Sequence, residues 1–326
     1  MELSVQIERW PLANAFTISR GSKTEAVVVT AELRDGNHRG RGECVPYARY
    51  GETLDGVVAA IEAMRPALQR GLDRAALQAA MPAGAARNAL DCAYWDLDAK
   101  RTGRRAYELA NLAAPKSVTT AYTISLAAPD AMAQAAKRAA SRSLLKVKLG
   151  GGGDDGKRIA AVRRAAPHAE LIVDANEGWS EDDLAQNFGA CAQAGVTLIE
   201  QPLPQAGDAA LARIERPIPI CADESVHDRA SLDGLAGKYD AINAKLDKAG
   251  GLTEALALVA EAERRGLRVM VGCMVATSLA MAPAMLVAQR ASVVDLDGPL
   301  LLAEDRPAGL RYLGSLIYPP EPALWG

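Results

Sequence analysis

The chain has 326 residues, 49% of them apolar, and a formal net charge of −3, enough for one large α/β barrel or two ordinary domains around a sizeable core. Charges of both signs are interspersed, so no broad field gathers nucleic acid or an anionic membrane, and neither is an expected partner. Five scattered cysteines without a C-x-x-C pair speak against a disulfide framework or zinc ribbon, and MELSVQIERWPL does not read as a leader or apolar anchor, so the expected location is cytoplasmic.

In chain order, residues 1 to about 35 read as strands, because LSVQIERW alternates and EAVVVTAEL is rich in β-branched residues. Residues 52–111 read as helices rich in Ala and Leu. From about residue 117 short apolar runs alternate with helical text such as GKRIAAVRRAAP and LTEALALVAEAERRG. The runs are VTTAYTIS (118–125), LLKVKL (144–149), ELIVDA (170–175), VTLIEQ (196–201), IPICAD (218–223), YDAINAK (239–245), LRVMVG (267–272) and ASVVDLD (291–297). Eight such units in about 180 residues predict a parallel α/β barrel more than an open sheet. The expected organisation is an α+β capping domain over residues 1–115 and a barrel over 116–307. The tail, about 308–326, leaves the βα rhythm and folds back on the cap.

Chemistry in such barrels sits at the C-terminal strand ends. Here the second strand ends in Lys146 and Lys148, the third in Asp174 followed by Asn176, and the fourth in Glu200 and Gln201. The fifth ends in Asp223 and Glu224, the sixth in Lys245, and the eighth carries Asp295 and Asp297. Any one of these could be a solvated terminus or a structural ion pair; their concentration at one set of ends favours a site. Asp174, Glu200 and Asp223 offer three oxygen ligands with no His or Cys, which suits a hard cation, Mg²⁺ first and Mn²⁺ second.

In an eight-stranded barrel the second and sixth strands are opposite, so Lys148 and Lys245 are expected to face each other across the mouth. Two amines flanking one carbon, beside a cation that holds the adjacent carboxylate, suit epimerisation or racemisation through an enolate. A lysine base working at neutral pH needs its pKa about 3 units below the usual value of about 10.4. The like charge of Lys146 beside Lys148 pushes that way. The competing reading is that Lys146 pairs with an acid of the cation site.

The stretches KVK (146–148), DAN (174–176), IEQPL (199–203), ADES (222–225), INAKLDKAGG (242–251), GCM (272–274) and DLDGPLLL (295–302), in this order over nearly the whole chain, resemble the enolase superfamily. The likeness is to its muconate lactonising group, and within that to the dipeptide epimerases. The resemblance implies a (β/α)7β modified TIM barrel with an N-terminal α+β capping domain. It implies Lys148 and Lys245 as the acid/base pair, supported by Lys146, and Mg²⁺ on Asp174, Glu200 and Asp223, with Asn176 and Glu224 behind them. It also implies that Asp295 and Asp297 grip the free ammonium of a dipeptide, with Met274 in the substrate pocket. The eighth strand lies opposite the fourth, which independently suits Asp295 and Asp297 to the far end of a substrate whose carboxylate sits on the cation.

The expected reaction is therefore 1,1-proton transfer at the C-terminal residue of a dipeptide. L-Ala-D/L-Glu, a peptide of cell-wall turnover, is the first expectation. Two cap loops, FTISRGSKTEA (16–26) and VPYARYGET (45–53), are expected to set specificity, with Arg20 as clamp for an acidic side chain and Tyr47 or Tyr50 closing the pocket. Ala276 departs from the pattern, since many dipeptide epimerases carry Glu there. The alternatives are o-succinylbenzoate synthesis or N-acylamino acid racemisation in the same site, and, in another class, a non-catalytic peptide-binding barrel. Homo-oligomerisation is left open.

Three signals are set aside. GGGDDG (151–156) satisfies G-x-G-x-x-G after a strand, but Asp154 and Asp155 would place anions where a pyrophosphate should bind, so it is read as a βα loop. His38, His168 and His227 are expected on the surface. Lys248 is expected to lie past its strand end, in solvent.

Overall fold

The computed structural model describes residues 1–150 and 152–326. The N-terminal alternation forms an antiparallel sheet of β1 (Glu2–Ile18), β2 (Gly21–Asp35) and β3 (His38–Cys44). Val29, Ala31 and Leu33 of β2 pack on the cap helices while Val28, on the other face, joins the barrel's core, so the sheet is a middle layer. Its helical cover is α1 (Leu54–Glu62), α2 (Arg65–Gln69), α3 (Arg74–Ala80), α4 (Ala85–Thr102) and α5 (Ala106–Leu109). The strand β3 lies beyond the stretch that reads as strand, and the reason is packing. HRGRGEC has no apolar alternation because α4 lies directly on it: a Cβ on Gly40 would stand 2.2 Å from Ala93 O, and one on Gly42 2.1 Å from Ala89 O.

VTTAYTIS, expected as one strand, divides into β4 (Val118–Thr119) and β5 (Tyr122–Ile124). The barrel continues through α6 (Pro129–Arg138), β6 (Leu144–Lys148), α7 (Asp155–Ala165), β7 (Glu170–Asp174), α8 (Leu184–Gln193), β8 (Val196–Glu200) and β9 (Ile220–Ala222). Then come β10 (Ala241–Ala244), α9 (Leu246–Ala249), α10 (Leu252–Arg264), β11 (Arg268–Val271), α11 (Ser278–Ala288), β12 (Val293–Val294) and α12 (Gly298–Leu301). After β8 and β9 the connections are 3₁₀ turns, Gln205–Arg213 and Arg229–Leu235. Strands β5 to β12 form one parallel sheet in sequential order. The Ala121 N–H donates to Val294 O (2.8 Å) and the Leu296 N–H to Thr120 Oγ1 (2.9 Å), which joins the first strand to the last.

Inside, Ala121, Leu144, Ile172, Leu198, Cys221, Ala241 and Met270, with Val293, form a separate apolar cluster, one residue from each strand or from the step leading into it. It plugs the barrel. Side chains alternate with period two, so the next inward layer is Thr123, Lys146, Asp174, Glu200, Asp223, Asn243, Gly272 and Asp295. The polar site thus rests on an apolar floor, and parity fixes which residues face inward.

Two pieces tie cap to barrel at the end of the chain. The hairpin β13 (Tyr312–Leu313) and β14 (Leu316–Ile317) pairs with β4. Trp325, buried, donates from Nε1 to Cys92 O (3.0 Å), and the Gly326 N–H donates to Asp96 Oδ1 (2.8 Å), both on α4. In the GGGDDG stretch Gly151 lies outside the described residues. Asp155 turns inward, accepting from Gly150 N (2.7 Å) and Trp179 Nε1 (2.8 Å), and so closes its own loop.

Candidate active site

Asp174 ends β7, Glu200 ends β8 and Asp223 follows β9, and the three buried carboxylates each place an oxygen within 4.8 Å of the others. Lys148 Nζ donates to Asp174 Oδ2 (2.6 Å), and Lys245 Nζ donates to Asp223 Oδ2 (2.7 Å). The two amines therefore reach one acid cluster through different acids, from β6 and from the end of β10. Lys146 Nζ lies deeper, 2.7 Å from Glu200 Oε2, 2.8 Å from Asp295 Oδ2 and 3.2 Å from Asp174 Oδ2. The pairing reading of Lys146 is the one its geometry displays.

The charges follow from burial and partners. Burial works against the Lys146 ammonium, yet Asp295, Glu200 and Asp174 outweigh it and hold its pKa well above the usual lysine range. Burial likewise opposes the Lys245 charge, and Asp223 and Glu200 outweigh it. Burial raises Asp174, but Lys148 and Lys146 bring it down to about 2. Glu200 is pushed up to about 7 by burial and by Asp174 beside it.

Three carboxylates on adjacent strands, without His or Cys, fit a hard divalent cation. Orphaned buried oxygens agree with that fit. Among the described residues Glu224 Oε2 has no hydrogen-bond partner, and Glu200 Oε2 meets Lys146 as an ion pair without a hydrogen bond. Glu200 Oε1 is held by Asn243 Nδ2 (2.7 Å), and Asp174 Oδ1 by the Asn176 N–H (2.8 Å).

Above the acids a cavity of about 900 Å³ opens beneath the two cap loops, lined among others by Phe16, Tyr47, Tyr50, Lys148, Lys245 and Met274. Arg20 also lines it, but its donors are engaged: Asn176 O at 2.8 Å, Tyr47 OH at 3.0 Å, Glu224 Oε1 at 2.7 Å and Glu177 Oε2 at 3.3 Å. Lys23 lines the same cavity and faces the Tyr47 ring, 5.5 Å from its centroid, with no acid paired to it among the described residues. Asp295 and Asp297 lie deeper and do not line the cavity. Asp297 Oδ2 accepts from the Thr123 N–H (2.6 Å), and burial together with Asp295 pushes its pKa up to about 7. Asp295 Oδ1 has no hydrogen-bond partner among the described residues. Ala276 is fully buried.

A family profile described as enolase C-terminal domain-like matches residues 130–306, and one described as mandelate racemase / muconate lactonizing enzyme, N-terminal domain, matches residues 1–110. The chain belongs to the enolase superfamily. It is 48% identical over 310 residues to the L-Ala-D/L-Glu epimerase of Escherichia coli (strain K12), covering 94% of this chain and 95% of that protein. It is 44% identical over 301 residues to the N-acetyl-D-glutamate racemase of Pseudoalteromonas sp, covering 92% and 95%. Among solved structures, an enolase family member from Agrobacterium tumefaciens with homology to dipeptide epimerases, bound to sodium and L-Ala-L-Glu, matches with a TM-score of 0.98 at 57% identity over 99% of both chains. Among the described residues no helix is long and apolar enough to cross a membrane.

Two residues lie elsewhere than their sequence context suggests, Lys248 and His227. Lys248 is 2% exposed, not solvated, and donates to Asp223 O (2.5 Å) and Oδ1 (2.6 Å). It lies in α9, one helical turn after Lys245, so the period changes from two to 3.6 and brings it back to the same acid. His227 is half-buried against the edge of Tyr50, ring centroids 4.6 Å apart, rather than on the surface. Asn243 and Glu177 were also missed. The signal for Asn243 was parity, since it stands two residues before Lys245; Glu177, in a loop, had none.

Proposed function

We propose that this chain is a divalent-cation-dependent epimerase that inverts the C-terminal residue of a dipeptide with an acidic side chain there, L-Ala-D/L-Glu in the first place. The observation that carries this reading is the approach of Lys148 and Lys245 to one carboxylate cluster through separate acids, both opening into one cavity. One lysine, as neutral amine, takes the α-proton from its face; the other, as ammonium, returns a proton to the opposite face. One C–H and one N–H bond break and one of each forms, so nothing is oxidised or reduced. Asp174, Glu200 and Asp223 would hold the cation, whose chemistry is to stabilise negative charge that develops on the substrate carboxylate.

Asp295 and Asp297 are the carboxylates offered to an aminoacyl ammonium: they lie buried below the cavity lining, Asp295 Oδ2 already meets Lys146, and Asp295 Oδ1 has no hydrogen-bond partner among the described residues. For the acidic side chain, Arg20 already meets Glu224 and Glu177, whereas Lys23 has no acid partner among the described residues. Lys23 is therefore the better counter-ion and Arg20 its neighbour. Both relatives above carry glutamate in their names and differ in the group on its nitrogen.

N-acylamino acid racemisation is the second reading, favoured by the 44% identity to the N-acetyl-D-glutamate racemase. Proton NMR in D₂O with Mg²⁺ separates the two. Loss of the glutamate α-proton signal of L-Ala-L-Glu, stopped by EDTA, and reduced by roughly 10- to 100-fold in Asp297→Asn, is the expected result. Exchange in N-acetylglutamate alone transfers the assignment to the second reading. Exchange in neither sinks both.

A further inference from the structure

Both cap loops meet the barrel at one carboxylate. Arg49, from the 45–53 loop, donates to both oxygens of Glu177, Nε to Oε2 and Nη2 to Oε1, each at 2.7 Å. Arg20, from the 16–26 loop, lies 3.3 Å from Oε2. Oε1 also accepts the N–H of Gln205, beyond the end of β8, at 3.0 Å. Glu177 thus gathers three segments that are remote in sequence, and its side chain is only 8% exposed.

The turn that presents it is strained. Asn176 and Glu177, neither of them glycine, take φ of 45° and 64°, in the left-handed region. This turn also aims the Asn176 peptide. Its N–H donates to Asp174 Oδ1, while its carbonyl accepts from Ser19 Oγ and from Arg20 Nη1, both at 2.8 Å.

General docking of the cap does not need this contact. Arg306 binds Glu8 and Glu43, Arg87 binds the carbonyls of Ala249 and Gly250, and Asp247 accepts from Val45 N, all away from the loop tips. Arg20 and Arg49 line the cavity; Glu177 does not. We propose that Glu177 is a positioning residue that clasps both cap loops over the cavity and holds Arg20 in place, acting on substrate binding and not on proton transfer. Its kinetic consequence rests on the epimerase reading above.

The test uses the full chain as Glu177→Gln, Arg49→Gln and the double variant. Trypsin cleavage after Arg20 and Lys23, followed by mass spectrometry without substrate, reads the clasp directly. Loss of the paired Arg49–Glu177 hydrogen bonds should speed that cleavage and raise KM by about 10- to 100-fold, with kcat within about twofold of the parent. Because both residues act through one contact, the double variant should be no worse than Glu177→Gln. An unchanged melting curve would place the effect in the loops. Cleavage and KM like the parent's would overturn the proposal, and so would a fall in kcat at constant KM. If the parent chain exchanges no α-proton at all, the epimerase reading fails by itself, and the cleavage arm still decides the clasp.

Discussion

Lys146 and Lys148 stand two residues apart on β6 and touch the same oxygen of Asp174, yet their surroundings separate their work. Lys146 is fixed by two further acids, whereas Lys148 opens into the cavity with the Phe16 ring 5.8 Å away. A lysine with three anions around it neutralises charge; one with a single acid and a cavity can move a proton. If Lys148 and Lys245 each serve one face, Lys148→Ala should lower epimerisation by about 10²- to 10⁴-fold. Deuterium should then still wash into one of the two epimers, and Lys245→Ala should preserve exchange in the other, as NMR of the separated epimers would show. Loss of exchange from both epimers in either variant would refute the two-face arrangement.

At the scale of elements, the cap rests on the barrel through α4 and the segment α9–α10. Asp247 in α9 bridges this contact: its Oδ1 accepts from Val45 N (3.0 Å) and from Asn88 Nδ2 (2.8 Å) of α4. Burial, assisted by Glu52 and Glu43, pushes its pKa from 3.8 up to about 7. Between those values the folded chain keeps a proton that the unfolded chain has lost. The group therefore costs nothing below about pH 4, and stability falls as pH rises to about 7 and then levels. Asp247→Asn should remove this slope, so the difference in unfolding free energy between variant and parent should change from pH 4 to 7 and stay constant above. A difference that is flat across the range would contradict the assignment.

Strands β6 to β8 were legible in the sequence because their apolar runs are continuous and end in charge. The third cap strand was not, since contact with α4 demands glycine where a strand pattern would place side chains. VTTAYTIS read as one strand because composition cannot tell that its first half pairs with a hairpin nearly two hundred residues later. At the site, charge at the strand ends was enough to single out Asp174, Glu200 and Asp223, which the fold brings within 4.8 Å of one another, and Lys146, Lys148 and Lys245 beside them. Lys248 escaped that reading because a helical turn intervenes, and the engaged state of Arg20 escaped because it depends on Glu177 and Glu224 from two different loops.

For the whole molecule, Glu200 is the strained acid of the cation site, pushed up to about 7 by burial and by Asp174, and a bound ion would relieve it. At Mg²⁺ one hundred times its dissociation constant, linkage adds about 2.7 kcal/mol, which for a chain of this length is roughly 3–5 °C in Tm. Glu200→Gln removes one of three crowded carboxylates. Its melting temperature without added metal should be no lower than the parent's, and it should show little of the Mg²⁺-dependent rise. Differential scanning fluorimetry with EDTA and with graded Mg²⁺ measures both; an equal rise in the variant would mean that Mg²⁺ stabilises the chain from elsewhere.

The seam between β5 and β12 also dictates an order of assembly. During synthesis β5 leaves the ribosome long before its neighbour β12 exists, for roughly 10–30 s at ordinary translation rates. Throughout that interval the growing sheet carries an unpaired edge on either side, and α4 lacks the Trp325 that later covers it. The nascent sheet depends on β12 to close its open edges against other chains.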